Sequence, residues 1–178
     1  MMRAGEGAGF VVRRTVAEDW REVRALRLEM LADTPLAYLE TLERAERRSE
    51  AEWRAWAGEG SAEESITLAA VLDAGPEAGR WVGTMISKVP VRATGAHLFS
   101  VYVAPSHRGR AAGVTDALLA GIETWAATRG DSLTLEVHEH NARARSAYLA
   151  RGFRETGRST PYALDRTQRD LEMRKPLR

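Results

Sequence analysis

The chain has 178 residues, enough for one domain of ordinary size that buries roughly 70% of its unfolded surface without covalent staples. Apolar residues make up 44% and charged residues 29%, the profile of a globular protein, and 26 basic against 25 acidic residues leave a net charge of +1, which argues against a coat for nucleic acid or an acidic membrane. Cysteine is absent, which excludes disulfide frameworks, thiolate zinc sites, iron–sulfur clusters and cysteine nucleophiles.

No stretch approaches the ~18 uninterrupted apolar residues of a membrane span. The opening segment MMRAGEGAGF has no apolar region of signal-peptide type, so residues 1–8 read as a mobile tail, residues 9–178 as a single domain and the cytoplasm as the default location. FVVRRT at Phe10–Thr15 reads as a strand, and Thr15 with Glu18 three places on matches a capping box, so a helix is expected from there to Asp33. A charged helix over Tyr38–Arg48 and a third from Ser49, with Trp53 and Trp56, follow; Gly58-Glu59-Gly60-Ser61 ends them. The period then changes. Ser65–Asp73, Arg80–Val89 and Ala96–Val103 read as strands, the first two joined through Asp73-Ala74-Gly75-Pro76. A helix is expected over Gly113–Arg129, a strand over Leu133–His138, a helix from Asn141 to Arg151-Gly152, and closing strands at Phe153–Ser159 and Arg169–Lys175. The order predicts one mixed sheet of about seven strands with helices on both faces, an α/β (α+β) architecture.

Chemistry concentrates in two segments. In VYVAPSHRGRAAGVT, residues 101–115, a strand ends, small residues Gly109, Ala111, Ala112 and Gly113 follow, and a helix opens with Val114 and Thr115. Unpaired N–H groups and the positive dipole end make a helix N-terminus a natural anion site, and Arg108 and Arg110 add charged donors. The segment reads equally as a tight strand-to-helix turn. It is neither a Walker loop nor the dinucleotide-binding GxGxxG.

The second segment, EVHEHNARARSAYLARGF at residues 136–153, makes the chain resemble the GCN5-related N-acetyltransferase (GNAT) superfamily, which uses acyl-CoA. That family's pyrophosphate loop follows Arg/Gln-x-x-Gly-x-Gly/Ala; Arg108 and Gly113 fill its ends, and Ala111 departs from the middle glycine. Its Asn-x-x-Ala-x-x-x-Tyr-x-x-x-Gly-Phe signature is matched by Asn141, Ala144, Tyr148, Gly152 and Phe153. The resemblance implies a sheet splayed like a V between the strands ending at Val103 and beginning at Leu133. It implies acetyl-CoA in that gap, its phosphates on residues 108–115 and Asn141 alongside, and its pantetheine arm along Val101, Tyr102 and Val103. It also implies direct attack of an amine on the thioester, with Tyr148 as the general acid for the departing thiolate.

Glu136, on the strand face opposite Leu135 and Val137, resembles the glutamate of ribosomal-protein N-terminal acetyltransferases in the same superfamily. It would act as base through water or hold the ammonium; His138 on the same face is the second candidate, and water alone the third. His97, His107 and His140 have no arguable partner, and no metal site is expected. The acceptor, a primary amine on a small molecule or peptide, is expected between residues 31–56, the hairpin near Pro90 and the loop 160–168. Tyr38, Trp53 and Trp56 are lining candidates, and Glu40, Glu43 and Glu46 could attract a cation. A monomer or homodimer without nucleic-acid or membrane partners is expected. The rival readings are a catalytically silent acyl-CoA-binding module and a nucleic-acid binder using the arginines around 108–110 and 143–154, which have no stacking platform beside them.

Overall fold

The computed structural model describes residues 9–60, 62–91 and 95–177; residues 1–8, read above as a tail, lie outside them. Seven strands form one sheet: β1 (Phe10–Arg14), β2 (Ser65–Leu72), β3 (Trp81–Lys88), β4 (Ala96–Val103), β5 (Ser132–His138), β6 (Arg154–Pro161) and β7 (Arg169–Pro176). Their spatial order is β1-β2-β3-β4-β5-β7-β6. Every neighbouring pair is antiparallel except β4 and β5, which are parallel and joined through a helix, as a parallel pair requires.

Five helices flank the sheet: α1 (Trp20–Asp33), α2 (Leu42–Glu46), α3 (Glu50–Glu59), α4 (Val114–Ala126) and α5 (Ala142–Leu149). β3 shows how both faces are covered. Gly83 faces Val114 and Leu118 of α4, while Thr84 and Ile86 face Val23, Leu26 and Met30 of α1. Leu118, Ile122, Leu133, Phe153 and Met173 lie in the core at 0% exposure, so β5, β7 and α4 share one apolar interior with the first half of the chain.

The first helix starts later than its sequence implies. Ala17–Asp19 form a 3-10 turn and α1 begins at Trp20. Asp19, not Thr15, organises the entry: its carboxylate accepts from the Val16 N–H at 2.9 Å and pairs both Nη atoms of Arg13 at 2.7 Å. Thr15 is fully buried and its hydroxyl donates to the Ala57 carbonyl at 3.2 Å, tying β1 to the end of α3. The helix expected over 38–48 is shorter, because Thr41 caps it and α2 runs only from Leu42. The Ser49–Glu52 capping box of α3 forms as expected.

Two irregularities in β4 shape the middle of the molecule. Its pairing with β5 covers only Ala96–Leu98 against Leu133–Leu135, after which the strands part. Its register with β3 passes from Thr84↔Tyr102 to Ile86↔Phe99, so Ser100 and Val101 together face one β3 residue, a β-bulge. Ser100 sits there at φ +48, the only non-glycine residue with positive φ among the described residues. Such a conformation costs of order 1–3 kcal/mol and persists only where its surroundings enforce it.

Candidate active site

Where β4 and β5 part, a groove of about 440 Å³ opens, lined by both strands, the segment before α2, and α5. The volume suits a small-molecule ligand. Of the catalytic and donor-binding residues expected from sequence, four line it: Val101 from β4, Glu136 from β5, Asn141 just before α5 and Tyr148 within α5.

Asn141 is the N-cap of α5; its Oδ1 accepts from the Ala144 N–H at 3.1 Å. One helical turn and more beyond, Tyr148 packs edge-on against Phe153 at 5.6 Å between ring centroids, which fixes the ring in the groove wall. Burial pushes the Tyr148 hydroxyl above its ordinary value, with Tyr38 nearby adding to the rise, so it stays protonated throughout the neutral range.

The β4 edge freed by the splay is partly tied down. The buried Tyr38 hydroxyl donates to the Val101 carbonyl at 3.0 Å, and burial raises its pKa to about 12. Arg108 Nε donates to the Val103 carbonyl at 2.7 Å. Each carbonyl keeps a second lone pair. Tyr102 points the other way, buried, its hydroxyl donating to Glu29 at 3.0 Å, so only its backbone belongs to the groove side.

The glycine loop lies beyond the far end of β4. Gly109 at φ +101 and Gly113 at φ +71 both occupy the left-handed region, and Gly113 is the N-cap of α4. No side chain caps α4, so the N–H groups of Val114, Thr115 and Asp116 face outward unpaired by the helix. Ala111 is not among the positive-φ residues, so the missing middle glycine carries no strain. Arg108 takes an internal position: besides Val103 it ion-pairs Asp33 at the end of α1 and stacks 5.4 Å from the Tyr102 ring centroid. That bond holds the Asp33 carboxyl below the usual range, and Arg143 adds to the effect, which brings Arg143 to the same corner. Arg110 and Arg143 form no ion pair among the described residues.

Glu136 is exposed at the groove and accepts from the Thr160 hydroxyl at 3.0 Å. His138 behaves differently. It is 5% exposed, its Nδ1 accepts from the His140 backbone N–H at 3.3 Å, and its ring meets Tyr162 edge-on at 4.6 Å. Accepting at Nδ1 places the neutral ring's proton on Nε2, which is buried without a partner, as is the Tyr162 hydroxyl.

The opposite wall was only partly legible. Tyr38 and Trp56 line the groove, while Trp53 is core and stacks on Trp56 at 5.4 Å. Glu40 is buried between Arg27 and Arg48, and Glu43 pairs with Arg47 in solvent, so neither is a free attractor of cations. None of the described residues near Pro90 lines the groove. Sequence reasoning missed Ser100, Asp170, Arg27 and Arg48. Asp170 faces His138 across β5 and β7, and burial together with Glu136 raises its pKa. Nothing local in the sequence marks these residues, because each depends on which segments the fold brings together.

A family model described as "Acetyltransferase (GNAT) family" matches residues 24–153. The chain belongs to the GNAT acetyltransferase family. Nourseothricin acetyltransferase is 28% identical over 65% of this chain and 67% of that one, with a TM-score of 0.57. A GNAT-family acetyltransferase from Streptococcus pneumoniae is 19% identical, covering 95% of this chain and 99% of that one at a TM-score of 0.75, a likeness of fold. The Escherichia coli ribosomal-protein-S18-alanine N-acetyltransferase shares that fold at 20% identity, 94% of each chain and a TM-score of 0.62. No curated protein sequence matches the chain. As a GNAT acetyltransferase the chain is an acyltransferase of a family that uses acyl-CoA. Among the described residues no helix is long and apolar enough to cross a membrane, and no group of three metal-ligating side chains gathers.

Proposed function

We propose that this enzyme transfers an acetyl group from acetyl-CoA to a primary amine of a small molecule or peptide. The observation that carries the reading is the arrangement along β4: its edge parts from β5 beside a groove holding Tyr148 and Glu136, and the chain beyond its far end runs into the loop where Gly113 opens α4 without a side-chain cap. The donor's groups fit these elements. Val114, Thr115 and Asp116 offer outward N–H groups for a pyrophosphate, and Arg110 and Arg143 add charge that forms no ion pair among the described residues. Arg108 instead braces the loop through Val103 and Asp33.

Acetyl-CoA, when bound, supplies the thioester carbonyl that the amine attacks. Tyr148 then stabilises the charge that builds on the leaving sulfur. Its raised pKa keeps it a donor, and because a free thiol's pKa of ~8.5 lies below the tyrosine's, the hydrogen bond to the departing sulfur carries the stabilisation, while net protonation of the thiolate draws on a proton returned to the tyrosine from solvent. Glu136 receives the ammonium and accepts its proton through water. His138 is poorly placed for either role, because Nε2 already carries the ring proton and the basic lone pair at Nδ1 is taken up by the His140 N–H. The likeness to nourseothricin acetyltransferase favours small-molecule amines as first acceptors.

The test is release of free thiol from acetyl-CoA with a panel of polyamines, aminoglycosides, amino acids and peptide N-termini. Tight acetyl-CoA binding with no thiol release across the panel would leave a silent acyl-CoA-binding module.

A further inference from the structure

The two walls of the groove carry opposite net charges, and on the helical wall one carboxylate, Glu40, offsets only part of the charge. On the helical wall Glu40 serves two arginines. Arg27 Nε and Nη2 reach Glu40 Oε2 at 3.1 Å, and Arg48 Nη2 reaches Oε1 at 2.6 Å. Arg27 and Glu40 are each 8% exposed. Arg48 is stacked 4.1 Å from the Trp56 ring centroid and 5.0 Å from that of Trp53, and its Nη1 is buried without a hydrogen-bond partner. Arg44, one turn away and exposed, adds a third guanidinium to the same wall and forms no ion pair among the described residues. The sheet wall opposite presents Glu136 and Asp170, which form no salt bridge among the described residues.

Arg48, with 25% of its side chain exposed and one guanidinium nitrogen buried without a partner, attracts an anion more strongly than a fully solvated arginine would. The stacking on two tryptophans holds Arg48 rigid, so an incoming anion meets a preorganised donor and little ordering entropy opposes it. Two carboxylates across the groove do the reverse for a cation. We propose that the acceptor carries, besides its reactive amine, a separate anionic group, and that Arg48 and Arg44 bind that anion while Glu136 and Asp170 hold the ammonium. The inference rests on the acetyltransferase reading and narrows its acceptor to amines that bear a carboxylate or phosphate several bonds from the nitrogen.

Matched acceptors test it in the thiol-release assay: 4-aminobutyrate against butylamine, O-phosphoethanolamine against ethanolamine, and spermidine as a polycation. The member of at least one pair that bears the anion should have a kcat/KM ~10- to 100-fold above the partner that lacks it, the range of a charge-assisted hydrogen bond. Which pair shows the larger ratio tells carboxylate from phosphate. Arg44→Glu, on the exposed side, and Arg48→Gln should each lower that ratio at least tenfold, and 0.5 M salt should lower it in the unmodified enzyme. Calorimetry with the same five compounds reads binding apart from turnover. If no amine releases thiol, the acetyl-transfer reading fails while preferential binding of 4-aminobutyrate or O-phosphoethanolamine, lost in Arg44→Glu, still supports the anion site. Spermidine, butylamine or ethanolamine binding and reacting as well as the anion-bearing amines, or a ratio untouched by both substitutions, overturns it.

Discussion

The two ends of the cleft are built from different material. On the reading proposed above, the donor end offers chiefly backbone, the N–H groups opening α4, two glycines at positive φ and the parted edge of β4, with the Arg110 and Arg143 side chains beside them. At the acceptor end they are side chains, drawn from α1, the stretch from Ala37 through α2 to Arg48, β5 and β7. A backbone site is indifferent to most substitutions but depends on a few torsions. A side-chain site tolerates local backbone change but alters its preference with each residue. The first arrangement suits a ligand that stays the same across a family, the second one that differs from member to member.

Tyr148 lines the groove as the proposed acid, so its loss should be the largest effect. Tyr148→Phe keeps the ring and its contact with Phe153. kcat should fall by roughly 10²–10⁴ with KM for acetyl-CoA little changed. Wild-type kcat in this variant, measured where acetyl transfer limits the rate, would remove the acid from the mechanism.

Gly113→Val probes the donor end. A Cβ at Gly113 meets nothing within 4 Å, so the cost lies in the backbone at φ +71 rather than in a clash. A β-branched residue there strains or displaces the first turn of α4, and acetyl-CoA affinity should drop about tenfold or more, with the fold kept. Calorimetry and far-UV circular dichroism check the two halves of that statement. Unchanged affinity in a folded variant would take the phosphates away from this loop. Acceptor preference among amines should not move, which is what separates this end from the other.

Glu136→Gln probes the acceptor end and should act more gently, by about tenfold on kcat/KM, because an amine near its own pKa needs little help losing a proton. The acidic limb of the kcat/KM profile should flatten. An unchanged profile would hand deprotonation to water.

The same contrast explains what the sequence disclosed. The order of strands and helices and the glycine loop were legible because each is written in contiguous residues: alternation, turn chemistry, and Arg108 to Gly113; the parting of β4 from β5 came only with the family resemblance carried by Asn141 to Phe153. Arg108 was legible as a position but not as a role, since its partner Asp33 is 75 residues away. Thr15 reads as a cap in sequence because its burial against Ala57 depends on α3. Glu40 has the look of a solvated acid until the fold sets Arg27 and Arg48 on either side of it. Ser100 gave no signal, because a bulge is a mismatch between two strands and neither strand alone records it.

Asp170 offers the smallest effect and the one that sets stability against function at the acceptor end. Burial, and then the neighbouring Glu136, raise its pKa above the ordinary aspartate value, while His138 works weakly the other way. Between the ordinary value near ~3.9 and the raised folded value, the native state keeps a proton that the unfolded chain has lost. Stability therefore falls as pH rises through that window, and above it the full penalty remains. Asp170→Asn removes the penalty, so Tm should rise at pH 7, by about 2 °C or less because the group is partly solvated, and the gain should vanish near pH 3.5. In the same variant the groove loses one of its two uncompensated carboxylates, and KM for the amine should rise while KM for acetyl-CoA stays put. A lower Tm at neutral pH would show that Asp170 is a structural partner of His138 across the β5–β7 pair rather than a strained charge held for the acceptor.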